Sequence, residues 1–227
     1  MLLLAVDTSG KNGSLALARV TSGQSQIDIL ETVPLTGGAF SAQLVPSIAA
    51  LLEKHGHGKR DLGGFAVVSG PGSFTGLRVG LAAIKGLAEA LEKPIVAISL
   101  LEAVARGSRV SGRVLALLDA GRGDVYVGDY EVYPEVCMHS ERLLSRDEFV
   151  SEARRGGDRL VVMADGALAE ILRAAGVRVE LIEYPSSAVI ARLGSEHLQR
   201  GQTVRPEELE ANYIRHSDAE IFSKPKP

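Results

Sequence analysis

The chain has no tryptophan, a single cysteine (Cys137), and only 4% aromatic residues. One cysteine excludes a disulfide framework and any metal site built from several thiolates. A dominant charge is missing too. Lys and Arg number 25 against 28 Asp and Glu, for a formal net charge of −3. An autonomous nucleic-acid binder normally carries a basic excess, so only a basic patch inside a balanced total is compatible with that role. No apolar run approaches the roughly 20 residues of a membrane span. The opening run Leu2-Leu3-Leu4-Ala5-Val6 lacks the basic lead and the length of a secretion signal. A soluble cytoplasmic protein is the expectation. At 227 residues the chain is long enough to bury a substantial core, in one domain or two small ones.

What is abundant is glycine, with 25 residues. The chain becomes readable at Ser69-Gly70-Pro71-Gly72-Ser73-Phe74-Thr75-Gly76-Leu77-Arg78-Val79-Gly80. The short apolar run Phe65-Ala66-Val67-Val68 before it predicts a buried strand, which Gly70, Pro71 and Gly72 end. Leu77, Leu81, Ile84, Ala88 and Leu91 then recur at helical spacing, with Ser73 or Thr75 placed as the N-cap. Gly76, Gly80 and Gly86 in this helix each cost about 1 kcal/mol against alanine. Two explanations stand open: close packing inside the domain, or close approach by a partner helix. The turn is not a P-loop, since no Lys follows, and Gly70, Gly72 and Gly76 miss the dinucleotide spacing by one residue.

Along the chain, residues 2–6 and 14–20 predict a hairpin turning through Gly10-Lys11-Asn12-Gly13, and residues 27–33 a third strand. Residues 40–52 predict a helix with Leu44, Ile48, Leu51 and Leu52 on one side. The strand 65–68, the helix 75–91, a strand 95–98 and a short helix capped by Ser99 follow. The polar, glycine-containing segment 107–112 sets a boundary, giving domains 1–106 and 107–227. After it the pattern restarts. A strand 114–118 ends at Asp119, the turn Ala120-Gly121-Arg122-Gly123-Asp124 follows, and a strand returns over 125–132. A strand 160–164, a helix near 168–174, a strand 177–182 and a helix from Ser186 or Ser187 to Gln199 complete the second half. The tail from Ser217 is expected to be disordered. Two halves with one pattern imply an internal duplication, with Asp7 and Asp119 at equivalent hairpin positions.

Catalytic constellations are sparse. His55 and His57 are two apart beside glycines and read as a solvated loop, while His139, His197 and His216 are isolated. No G-x-S-x-G nucleophile elbow occurs, and Cys137 lies in a stretch without a flanking signature. Asp7, Thr8, Ser9, Asp119 and Arg122 form the candidate anion or nucleotide residues. The competing reading is that each Asp closes its own turn through local hydrogen bonds.

Ala5-Val6-Asp7-Thr8-Ser9, the stretch 69–80 and Leu118-Asp119-Ala120-Gly121-Arg122-Gly123-Asp124-Val125-Tyr126 together resemble the TsaB (YeaZ) family. Lys85-Gly86-Leu87-Ala88, Ser99-Leu100-Leu101-Glu102-Ala103 and Asn212-Tyr213-Ile214-Arg215 extend the resemblance over nearly the whole chain. It implies an α/β fold: the duplicated actin/sugar-kinase/Hsp70-like (ASKHA) architecture, two lobes of mixed sheet flanked by helices. It also implies a non-catalytic scaffold for a TsaD-like threonylcarbamoyltransferase acting on tRNA, with a TsaE-like ATPase in the same complex and tRNA met only through it. No metal or cofactor of its own follows, and ATP or ADP would sit only at an interface of the complex. The hydrolase reading (a metal-dependent glycoprotease) lacks the H-x-x-x-H pair in helix 40–52, and a stand-alone ATPase or kinase lacks a clear phosphate loop. Many family members carry His-Ser-Glu where this chain has Phe40-Ser41-Ala42, a change expected to fall at a surface or interface position.

The resemblance and the small-residue face together point to a partner surface made by helices 40–52 and 75–91, with Gly76, Val79, Gly80, Ala83, Leu44 and Ile48 as its residues. One surface would serve both a TsaD-like partner and a second copy of the chain, making homodimer and heterodimer exclusive. Leucine at Gly80 or Ala83 is then expected to block both while leaving the monomer folded.

Overall fold

The computed structural model describes residues 1–21, 27–133, 136–155 and 159–215. The chain divides into two compact units, Met1–Ala103 with Pro185–Ala211, and Val104–Tyr184 with the remainder from Asn212.

The first unit is built on strands β1 (Leu2–Asp7), β2 (Gly13–Arg19), β3 (Asp28–Leu35), β4 (Leu62–Gly70) and β5 (Ile95–Ser99), ordered β3-β2-β1-β4-β5. β1 pairs antiparallel with β2 and parallel with β4. Helices α1 (Phe40–Lys54), α2 (Phe74–Leu91) and α3 (Leu100–Arg106) lie between or after these strands. Every residue of β1 is buried, as expected of a central strand covered on both faces. Such a strand needs apolar partners on two sides. α6 (Ser187–Gln199) supplies one, packing on β1, β2, β4 and β5. Gly194 of that helix lies so close to Ala66 that a Cβ there would stand 2.4 Å from the Ala66 Cβ. The domain expectation 107–227 is corrected accordingly: residues 185–211 return to the first unit, because its sheet leaves an apolar face that α6 covers. The His197 ring meets the buried Glu102 carboxylate at 2.8 Å and ties α6 to α3.

The second unit repeats the plan with β6 (Gly112–Gly121), β7 (Asp124–Val132), β8 (Val136–Ser145), β9 (Leu160–Met163) and β10 (Val179–Leu181), ordered β10-β9-β6-β7-β8. β6 pairs antiparallel with β7 and parallel with β9, as β1 does with β2 and β4. The duplicated ASKHA-like fold is therefore present, with β6 as the counterpart of β1. Helices α4 (Arg146–Arg155) and α5 (Gly166–Ala174) share a core with Leu115, Leu117, Val125, Val127, Val161 and Met163.

β8 and α4 have no counterpart in the sequence reading, and Cys137 is an exposed residue of β8. β8 pairs with β7 alone and buries no residue fully, so it has no apolar alternation to read. α4 buries only Phe149. Its start was nonetheless written in the sequence as Ser145-x-x-Glu148. Glu148 accepts from the Ser145 N–H at 3.0 Å, and the Ser145 hydroxyl accepts from the Glu148 N–H at 3.3 Å, a reciprocal capping box. The tail from Ser217 lies outside the described residues. Among the described residues no helix is long and apolar enough to cross a membrane.

Asp129 of β7 is buried and accepts both nitrogens of a bidentate Arg113 at 2.8 Å, with Arg159 at 3.1 Å. Burial pushes its carboxyl up. The hydrogen bond and charge of Arg113, with the charges of Arg159 and His139, outweigh burial and bring it below the ordinary aspartate range. A carboxyl depressed in the folded state stabilises the fold above its unfolded pKa of ~3.9, and that contribution is lost as pH falls through the lower folded value. Asp129→Asn is therefore expected to cost about 1–2 kcal/mol at neutral pH, the half-exposed arginines placing it at the low end. The difference from the parent should close between about pH 5 and pH 2. Urea denaturation at a series of pH values checks this; a gap constant to pH 2 would contradict it.

Candidate functional site

The segment after β1 sits in a saddle made by the glycine stretch. Asp7, Thr8 and Ser9 are almost wholly buried. Thr8 donates its hydroxyl to the Gly76 carbonyl at 2.8 Å, and the Ser73 N–H donates to the Ser9 carbonyl at 2.7 Å. A Cβ on Gly72 would lie 2.5 Å from the Ser9 carbonyl oxygen, one on Gly76 2.0 Å from that of Thr8, and one on Gly80 2.3 Å from the Thr8 hydroxyl. The glycines that weaken α2 are the residues that let Asp7-Thr8-Ser9 lie against it. Ser73 caps α2 by accepting from the Gly76 N–H at 3.3 Å.

Asp7 uses one carboxylate oxygen to accept from the Ser9 N–H at 2.8 Å and the Ser9 hydroxyl at 2.6 Å. Burial pushes its carboxyl above the ordinary range, partly countered by those two bonds. Asp119, at the matching place in β6, accepts from the Gly121 N–H at 3.1 Å. Both acids thus bond the amide two residues on, which is the turn-closing role. They differ in setting, since Asp7 is buried and Asp119 exposed. Arg122 is exposed at the hairpin tip with a left-handed φ of 58°. The C-terminal signature anchors the same hairpin: Arg215 pairs with Asp124 and donates to the Gly121 carbonyl at 3.4 Å, while Asn212 donates to Glu141 at 2.6 Å.

The six residues expected at a partner surface do not lie together on one. Leu44 and Ile48 are buried in the first unit, and Gly76 and Gly80 face Thr8. For these four the close packing is internal. Val79 and Ala83 are half-buried. The outward face of α1 and α2 is made by their neighbours: Ala42, Val45 and Ala49 on α1, and Phe74, Arg78, Ala82 and Gly86 on α2. Val45 is 56% exposed and Phe74 38%, and the Arg78 guanidinium lies 3.7 Å from the centre of the Phe74 ring. A Cβ on Gly86 would meet nothing within 4 Å. Phe40, expected at a surface or interface, is instead 7% exposed. Its ring closes over the first hairpin, within 2.9 Å of where a Gly13 Cβ would be.

The hydroxyls of Thr8, Ser9 and Ser73 are all engaged in building the turn, so none is set up as a nucleophile with a neighbouring base. His55, read as solvated, is in fact half-buried and meets Glu31 at 2.8 Å. Among the described residues no three His, Cys, Asp or Glu side chains are gathered as a metal site would need.

Comparison with known proteins agrees with this geometry. Residues 34–154 match the family model described as TsaD, tRNA N6-adenosine threonylcarbamoyltransferase. The chain is 27% identical over 229 residues to the Escherichia coli tRNA threonylcarbamoyladenosine biosynthesis protein TsaB, covering 96% of each. It is 36% identical over 132 residues to the Bacillus subtilis protein of the same name, covering 58% of this chain but only 56% of the relative. The solved structure of YeaZ from Pseudomonas aeruginosa superposes with a TM-score of 0.74 at 26% identity, covering 93% of this chain and 99% of that one. Fold and site thus define a duplicated α/β protein of the ASKHA class. Within it the chain belongs to the family described by the TsaD model, and there to the TsaB/YeaZ group.

Proposed function

We propose that this chain is a non-catalytic subunit in tRNA threonylcarbamoyladenosine formation, and that it acts by docking a TsaD-like transferase on the outward face of α1 and α2. The observation that carries this reading is that face. It presents Ala42, Val45, Ala49, Phe74, Ala82 and Gly86 to solvent with Arg78 beside them, a composition that marks an interaction surface. Gly86 strengthens the case. It lowers helix stability by about 1 kcal/mol, and nothing in its own unit comes close enough to need it. A partner backbone passing over it supplies a reason.

The non-catalytic part of the proposal is supported by the turn around Asp7, whose polar groups serve the fold. Gly72, Gly76 and Gly80 leave the loop no room for a side chain between it and α2. A second copy of the chain would use the same face in the absence of the transferase. In this reading the chain brings no cofactor of its own, and the TsaE-like ATPase joins through the complex.

The test is co-purification with a TsaD homologue, followed by threonylcarbamoyl transfer to tRNA with each protein alone and with both. Transfer is expected only with both present, or to rise at least tenfold on adding this chain. Turnover by this chain alone, or no association, would reject the proposal.

A further inference from the structure

α1 carries a proline in its interior. Pro46 lies beyond the first turn of Phe40–Lys54, the turn in which a missing N–H leaves nothing unsatisfied. Further in, proline removes the N–H that would bond the carbonyl four residues back. That carbonyl belongs to Ala42. The helix continues to Lys54 nonetheless, so Ala42 keeps an acceptor without its helical donor. Among the described residues no side chain donates to it, and no backbone N–H from outside the helix does. The carbonyl points along the axis from Ala42 toward Pro46. Both residues are exposed, as are Val45 and Ala49 beside them. The freed acceptor therefore lies on the outward face of α1, amid alanine and valine.

Proline is the least favourable residue for a helix interior. Packing inside the first unit gives no reason for it, because Pro46 is exposed and the buried residues of this stretch are Leu44 and Ile48. In the free chain water bonds the Ala42 carbonyl. A partner laid over Ala42 and Pro46 expels that water, and a buried acceptor left without a donor suffers the full desolvation penalty. A purely apolar covering is disfavoured at this point, whereas a covering with one donor in place is not. Backbone N–H groups of a regular helix or strand are engaged within it, so the donor is a side chain.

We propose that the TsaD-like partner sets a side-chain donor, a hydroxyl, carboxamide or cationic N–H, against the Ala42 carbonyl, and that Pro46 thereby selects which surfaces can dock. The inference rests on the docking reading of the α1–α2 face and adds the chemistry the partner brings to it. Small side chains at Ala42 and Ala49 let a partner come close to the helix backbone. The freed carbonyl then fixes where on that face a polar group must fall, and so the register of docking. An otherwise matching apolar surface that lacks the donor is rejected, which is specificity by an unsatisfied polar group.

The test uses the full chain and a TsaD homologue. Pro46→Ala and Pro46→Val both restore the N–H, and valine keeps the apolar bulk. With the N–H back, the helix bonds the Ala42 carbonyl along its axis and the partner's donor loses its acceptor. Both variants should melt at a higher temperature than the parent, yet bind the homologue at least about fivefold more weakly in calorimetric titration. A second readout is direct. Ala42-Gln43 is the only Ala-Gln step in the chain, so labelling alanine carbonyls with 13C and glutamine nitrogens with 15N isolates one signal for that carbonyl. It should move downfield when the homologue is added to the parent. Parental affinity in either variant, or an unmoved Ala42 signal in a complex that does form, overturns the inference and leaves the docking reading standing. A parent that does not associate with the homologue overturns both.

Discussion

Alanine at Gly76, Gly80 and Gly86 should give three different results in one helix. At Gly76 the new methyl would stand 2.0 Å from the Thr8 carbonyl oxygen. That is a backbone atom, so no rotamer change relieves the clash. An overpacking cost of about 3 kcal/mol or more, offset by about 1 kcal/mol of helix propensity, leaves a loss of roughly 2 kcal/mol. For a chain of this size that lowers the melting temperature by about 4–8 °C. At Gly80 the contact would be the Thr8 hydroxyl at 2.3 Å. It can rotate away, but it then gives up its bond to the Gly76 carbonyl, worth about 1 kcal/mol. Propensity and clash nearly cancel, and little change is expected. At Gly86 nothing lies within 4 Å, and alanine should stabilise by about 1 kcal/mol. Thermal melts of the three variants suffice. Equal effects at Gly76 and Gly86 would mean that the Thr8 contact does not hold the first unit together. Leucine at Gly80 belongs with the damaging changes, so it cannot serve as a clean probe of association.

This series also shows where sequence reasoning reached its limit. Spacing placed Leu77, Leu81, Ile84, Ala88 and Leu91 on the buried face of α2; the first four are buried and Leu91, at the helix end, is half-buried. The same spacing exposed the small-residue face but not which neighbour required it. A glycine facing a partner helix and one facing a loop from β1 have the same signature in one dimension. The loop, Asp7-Thr8-Ser9, is distant in sequence, and only the parallel pairing of β1 with β4 brings it over the start of α2. Helix 40–52 went the same way. The periodic residues Leu44 and Ile48 are the core side, so the outward side is read from what periodicity leaves over. The return of α6 to the first sheet was hidden because chain order suggests a neighbour that packing overrides. The duplication was legible because hairpin, terminal Asp and glycine turn recur locally. Both acids then accept from the amide two residues on, as a local turn requires. β8 and α4 were missed because each buries too little apolar surface to leave a period. α4 was recoverable only from its capping box.

Placing a carboxylate on the outward helix face should abolish partner binding without unfolding the chain. Ala82 on α2 and Val45 on α1 are both exposed, Val45 at 56%, so Ala82→Glu and Val45→Glu are surface changes worth within about 0.5 kcal/mol of stability. In a docked complex either carboxylate would lose its water against an apolar partner surface, and such unpaired burial costs several kcal/mol. A loss of at least 100-fold in affinity for a TsaD-like partner is expected, about 2.7 kcal/mol, and self-association should fall in parallel if one face serves both. Ile171→Glu makes a matched control, being a 48% exposed apolar residue on α5 in the second unit. It should leave both associations intact. Circular dichroism checks the fold, analytical ultracentrifugation the self-association, and calorimetric titration the heteromeric affinity. Loss of one association with retention of the other would separate the two surfaces. Full affinity in both glutamate variants would place the partner elsewhere on the molecule, and the exposed glycine at position 86 would then have no account.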